Sequence, residues 1–305
     1  MKHQLATVET HGFYGAYYPA PQPTNRAIIV MLGDSSTDRM ARSGAWWVHQ
    51  CGCNALAMSP AEKDYGHHNY PLERFGRAIE FLRDQGNDRI GIAGASTTGM
   101  LALIAASYYP EITLTIALSP SDFVMEGFYR DGLDGASERP GNGESTVSWQ
   151  GEPLPYLPYA YRHPQYDQQL KAEAKAGGDM AAARQMFDES ERLHPLREEE
   201  LIKVERIRGH VVFVGAEDDV LWDTCRYIGR MEERLERLPH ECTHEALLFD
   251  HATHFVFPQS MLMHMVPVLG NLMTRLFRAG REYPRECRDA RMIIDVHLRQ
   301  VIAAW

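Results

Sequence analysis

A serine, an acid and a histidine follow one another along this chain, each placed just beyond a short apolar run. Together these side chains can transfer an acyl group. The serine, Ser96, stands at the apex of Gly94-Ala-Ser-Thr-Thr-Gly99. Ile90–Ala93 before it reads as a buried strand, and Met100–Ser107 after it as a helix apolar nearly all round. A sharp strand-to-helix turn with small neighbours pushes a hydroxyl out at the end of a sheet. The first N–H groups of the helix then face any anion that forms beside it. This is a nucleophile elbow with one departure. Thr98 stands where the second glycine of the usual glycine-x-serine-x-glycine spacing belongs, and Gly99 follows one position late. An ordinary glycine-rich turn would look similar, so the acid and the histidine carry the distinction.

Val211-Val-Phe-Val-Gly-Ala-Glu-Asp-Asp-Val-Leu-Trp222 is a buried strand ending in a turn that bears acids. Acids directly after an apolar strand sit at the carboxyl edge of a sheet, as Ser96 does. Asp219, three residues before Trp222, is the favoured triad acid. Asp218 is its rival, and one of the two would serve simply as a helix cap. Leu247–Pro258 is another strand followed by a loop holding His251 and His254. His254 precedes an aromatic-apolar run and is assigned as the base. His251 is the weaker candidate, with a backbone-bonded loop histidine as its plain alternative. In this scheme His254 takes the proton of Ser96 during attack and returns it to the leaving group. Asp219 holds the imidazole in the right tautomer. The oxyanion is expected to rest on the N–H of Thr97 and on one from the turn after Leu32, with Asp34 as the chosen donor.

These residues need elements to hold them. The first twenty residues suggest one or two antiparallel edge strands, and Ala27–Leu32, Asn54–Met58, Ile112–Leu118, His210–Val214 and Ala246–Phe249 read as further strands. Helices are expected around 41–50, 72–82, after Trp222, over 260–277 and over 285–305. Strands alternating with helices at this spacing imply a doubly wound, mostly parallel sheet. The rhythm breaks between about 120 and 200, where glycine, proline and tyrosine give way to a polar helical stretch over 165–193. Such an interruption is expected to be a cap inserted into a single domain spanning 1–305. Trp149–Tyr161 within it hints at an apolar pocket wall.

Composition narrows the function classes. Apolar residues make up 44% and charged residues 24%, as in ordinary globular chains. A formal net charge of −10 argues against nonspecific nucleic-acid binding or attachment to an anionic membrane. No apolar run reaches membrane-spanning length, and the first ten residues lack a signal-peptide core. The five cysteines are scattered and odd in number, which fits free thiols and a cytoplasmic location. Cys51 and Cys53 have no second pair to complete a metal site. No metal and no cofactor is expected. The C-terminal helix could pack on its own domain or on a second copy, which leaves oligomerisation open.

Nearly the whole chain resembles the α/β-hydrolase fold. Its closest likeness is to the catalytic domain shared by acyl-CoA thioester hydrolases and bile acid-CoA:amino acid N-acyltransferases. Besides the three catalytic motifs, Ser148-Trp-Gln-Gly-Glu-Pro-Leu-Pro155, Ile202-Lys-Val-Glu-Arg-Ile207 and Gly215–Trp222 carry the resemblance. It implies a Ser96/Asp219/His254 triad and acyl transfer from a small-molecule thioester or ester without a metal. Serine in place of cysteine at the nucleophile favours hydrolysis over conjugation in this family. The acidic chain shows no basic cluster for the phosphates of coenzyme A, so a carboxylesterase similar to dienelactone hydrolases is the competing enzyme. Leu32-Gly-Asp-Ser-Ser36 is similar to the nucleophile block of GDSL-type lipases, but the aspartate three residues before the histidine is missing. A hydrolase-fold binding protein without chemistry is the alternative of another class.

Overall fold

Strand β3 (Arg26–Met31) alternates strictly between two interiors: Ala27, Ile29 and Met31 enter one apolar core, and Ile28 and Val30 the other. A strand buried on both faces has no use for a polar side, and its sequence is correspondingly apolar from Ala27 onward. In the computed structural model, which describes residues 2–62, 64, 66–133, 137–267 and 270–305, this strand sits inside an eight-stranded sheet. Its partners are β1 (Gln4–Ala6), β2 (Tyr14–Tyr18), β4 (Asn54–Ser59), β6 (Arg89–Ala95), β7 (Ile112–Leu118), β12 (His210–Ala216) and β13 (Thr243–Phe249). The order is β1-β2-β4-β3-β6-β7-β12-β13. The β1–β2 and β2–β4 pairings are antiparallel, and every other pairing in this sheet is parallel. The edge strands expected near the amino terminus are therefore present, with a short helix α1 (Val8–His11) between them.

Helices cover both faces, as a doubly wound sheet requires. On one face lie α3 (Glu73–Asp84), α4 (Thr97–Tyr108) and α7 (Thr224–Arg237). The other carries α2 (Arg39–Gln50), α8 (Gln259–Met265) and the C-terminal α11 (Pro284–Ala304). Helix α4 is buried at every residue from Thr98 to Ala106, which explains a sequence with no polar face.

Between β7 and β12 the chain leaves the main sheet. It forms an antiparallel pair, β8 (Glu126–Tyr129) with β9 (Arg139–Ser145), and a small sheet in which β10 (Val147–Trp149) joins β11 (Glu152–Pro153) and β5 (Tyr70–Pro71). Two helices follow, α5 (Gln165–Gly177) and α6 (Arg184–Leu193). The continuous helical stretch expected over 165–193 is interrupted because Gly178 adopts φ 67°, a left-handed helix stop. The long helix expected over 260–277 is likewise divided. It becomes α8, α9 (Gly270–Met273) and a 3₁₀ turn at Thr274–Leu276, followed by α10 (Arg278–Glu282). Pro267 cannot continue α8, and a Cβ on Gly270 would stand 3.2 Å from Leu262 O, a tight contact. Residues 134–136 of the expected cap and 268–269 of the expected long helix lie outside the described residues.

Among the described residues no helix is long and apolar enough to cross a membrane. Burial pushes the Cys51 thiol up to about 12, the opposite of what a metal-ligating or nucleophilic thiolate needs.

Candidate active site

Four loops meet beyond the carboxyl ends of β3, β6, β12 and β13, the edge at which open α/β sheets bind ligands. The loop after β6 is Ser96 itself. Its backbone sits at φ 60°, ψ −130°, and its N–H donates to Leu118 O at 2.8 Å. A serine at positive φ is a strained conformation that the surroundings must enforce. Two glycines allow it. A Cβ on Gly94 would lie 1.9 Å from Thr98 O, and one on Gly99 2.8 Å from Leu118 O. Gly99, one place late in the motif, thus provides the close approach to β7. Thr98 has a different task. Its buried hydroxyl accepts from Ala95 N at 2.9 Å and lies within donating distance of Ala95 O at 2.8 Å and Met31 O at 3.0 Å. The residue that departs from the motif therefore ties the elbow to the end of β3.

The loop after β12 carries the two acids. Asp219 is fully buried. Its Oδ2 accepts from His254 Nδ1 at 2.8 Å and from the Thr224 hydroxyl, and its Oδ1 accepts from Leu221 N at 2.9 Å. Arg184 donates to the carbonyls of Glu217 and Asp219 at 3.0 and 3.1 Å, holding the turn from outside. Asp218 points elsewhere, to the amides of Ala252 and Thr253 and to His251 Nδ1.

His254 is buried, with the edge of its ring against Trp222 at a centroid distance of 4.7 Å. Its carbonyl accepts from the Ser119 hydroxyl at 3.1 Å, and Trp222 Nε1 donates to Ser119 O at 3.2 Å. With Nδ1 engaged by Asp219, Nε2 is the free nitrogen, and it has no hydrogen-bond partner among the described residues. A buried nitrogen left open beside a cavity can accept a proton there.

The loop after β3 behaves differently. Gly33 adopts φ 81°, and the amides of Asp34 and Ser35 donate to Asp38 Oδ2 at 2.7 and 3.2 Å. The other oxygen of Asp38 accepts from Ala41 N at 2.9 Å as the N-cap of α2. The carboxylate of Asp34 pairs with Arg130. The Asp34 amide expected to serve an oxyanion is therefore committed to Asp38 in this conformation. The Thr97 amide opens α4, where intrahelical partners are lacking. Ser35, the serine of the lipase-like block, has its hydroxyl 3.3 Å from that of Thr37.

A family model described as BAAT / acyl-CoA thioester hydrolase C terminal matches residues 70–273, more than half of the chain. The chain belongs to this family. It is an α/β hydrolase, an enzyme of ester or thioester bonds. Among solved structures it is similar to MGS-M1, an α/β hydrolase from a Medee basin deep-sea metagenome library. That match has 13% identity and a TM-score of 0.55, over 100% of this chain and 99% of that one. It is also similar to the esterase Pf2001 of Pyrococcus furiosus, at 14% identity and a TM-score of 0.47 over 93% of each chain. A search of curated protein sequences returned no significant match.

In this acyl-CoA thioester hydrolase relative, Ser96, Thr97, Asp34 and His254 line one cavity of about 640 Å³. Its walls include six methionines (Met31, Met40, Met125, Met180, Met265 and Met273), a flexible apolar lining. Of the aromatic stretch Trp149–Tyr161, Tyr159 reaches the cavity, while Trp149 packs on Tyr108 and Tyr109. Thr224, Ser119 and Arg184 were not legible as site residues, because their partners are a carboxylate or backbone brought close only by the fold. Thr98 did carry a signal, as a polar residue at the start of an apolar helix.

Proposed function

We propose that this chain hydrolyses a carboxylic thioester or ester through Ser96, His254 and Asp219, with an acyl-enzyme intermediate. The observation that carries the reading is the buried Asp219–His254 pair at 2.8 Å, whose free Nε2 shares a cavity with a serine held at φ 60°. Ser96 Oγ attacks the substrate carbonyl while His254 Nε2 takes its proton. Asp219 holds Nδ1–H in place and stabilises the imidazolium. The tetrahedral oxyanion is received by the Thr97 amide and by the Asp34 amide, which turns away from Asp38 to do so. Collapse expels a thiol or alcohol, which takes the proton from His254. Water activated by the same nitrogen then releases the acid.

The mostly apolar, methionine-lined cavity suits the acyl group, and residues from about 120 to 200 act as its cap within one domain. Family membership favours an acyl-CoA thioester, in a protein working in the cytoplasm. The lining favours a simple ester as the second reading, since its two basic groups are already paired with acids, Arg130 with Asp34 and Lys171 with Asp167.

The test is turnover of short and long p-nitrophenyl esters and acyl-CoAs by wild type and Ser96→Ala, with fluorophosphonate labelling beside it. Expected are labelling at Ser96 and a loss of about 10⁵–10⁶ in kcat in the variant. Activity surviving Ser96→Ala removes the elbow from the mechanism. An unlabelled, inactive wild type marks a binding protein on a hydrolase fold.

A further inference from the structure

Adjacent acids of one type, each bonded to the histidine loop, call for separate explanations. Asp219 holds the His254 ring. Asp218 holds the backbone on which that ring is mounted. Its Oδ1 accepts from Thr253 N at 2.8 Å and from Ala252 N at 3.2 Å, and its Oδ2 accepts from His251 Nδ1 at 3.2 Å. The His251 ring is in turn stacked on Tyr283 at 3.6 Å and 4°, at the entry to α11. Thr253, immediately before His254, is fully buried at φ 63°. A β-branched residue in the left-handed region is strained and persists only where its surroundings impose it. The amide of this strained residue is the one that Asp218 binds at the shorter distance. The loop is secured on its far side by the Ser119 hydroxyl on His254 O. Burial raises the carboxyl of Asp218, and the two amides and His251 oppose that rise, as expected of a carboxylate anchored by donors.

We infer that Asp218 is a positioning residue: it clamps the strained 251–253 loop so that His254 Nε2 stays directed at Ser96. This rests on the triad reading above. It requires an acceptor that spans both amides and does not require a negative charge, which separates it from the role of Asp219.

The test compares Asp218→Ala, Asp218→Asn, Asp219→Asn and Ser96→Ala on one p-nitrophenyl ester. Asparagine keeps an oxygen for both amides. It is expected to stay within about threefold of wild type in kcat, while alanine loses about 10- to 100-fold with KM within about twofold. The rate of fluorophosphonate labelling at Ser96 should fall in parallel. Alanine matching wild type overturns the clamp, and so does asparagine falling as far as Asp219→Asn, since charge rather than anchoring would then be at work. Should the alanine variant not fold, Asp218→Ser replaces it with the same expectation, because a hydroxyl is too short to span the amides. Turnover that survives Ser96→Ala defeats the triad reading itself. A dead Ser96→Ala beside a fully active Asp218→Ala defeats only the clamp.

Discussion

On the acid side of the cavity, every donor and acceptor that steadies His254 is already engaged. Asp219 is held by Thr224 and the Leu221 amide, the turn by Arg184, and the histidine loop by Asp218 and Ser119. On the oxyanion side, the Asp34 amide is bound to Asp38, and its carboxylate is drawn to Arg130. In the proposed mechanism one side needs no rearrangement to act, and the other needs a loop to turn. The contrast follows from residue types. An imidazole is aimed by fixed acceptors that can be buried with it, whereas an oxyanion exists only during the reaction and leaves its donors to find other partners beforehand. The loop after β3 satisfies its amides with the nearest carboxylate, the one that also caps α2.

Breaking the prewired side should cost most. Asp219→Asn is expected to lower kcat about 10⁴-fold without loss of fold, measured with p-nitrophenyl esters and circular dichroism. A loss below tenfold would move the acid role to another residue. Between the two sides lies Thr98, whose hydroxyl joins the elbow to the end of β3. Thr98→Val leaves the buried Ala95 amide without its acceptor and should destabilise by about 1–3 kcal/mol, a fall of about 2–6 °C in Tm, with Thr98→Ser restoring it. A valine variant as stable as wild type would show that the hydroxyl link carries nothing. The smallest effect is expected on the oxyanion side. Asp34→Ala keeps the amide and removes only a partly exposed ion pair, so kcat should stay within about threefold and stability within about 1 kcal/mol. A large fall in kcat would mean that the Asp34–Arg130 pair itself shapes the site.

How much of this was open to reading from residues alone varied with the range of the interaction. Ala27–Leu32, Ile112–Leu118 and Val211–Val214 announce themselves as strands because burial on both faces leaves few polar positions, Thr113 and Thr115 being the exceptions. The doubly wound arrangement follows from their spacing. Spacing from Trp222 favoured Asp219 but left Asp218 a rival, since two adjacent acids differ only in the direction that a turn gives them. It could not show that Thr98 bonds Met31, 67 residues away, or that the amide of Asp34 would be taken by Asp38. The breaks at Gly178 and after Met265 were present as residue types, yet the polar, alanine-rich run over 165–193 and the apolar face over 260–277 suggested longer helices.

Tyr159, Tyr166, Leu170 and Met180 are among the cavity-lining residues contributed by the segment between β7 and β12. None of the four hydrogen-bonds to Asp219 or His254. In the proposed function the acyl group meets mainly this inserted segment, whereas Ser96, Asp219 and His254 themselves come from loops of the main sheet. On that proposal, selection could retune what the enzyme accepts through the cap and leave the triad in place. A directed-evolution library confined to these four codons would test whether substrate range can shift while the triad residues are left intact.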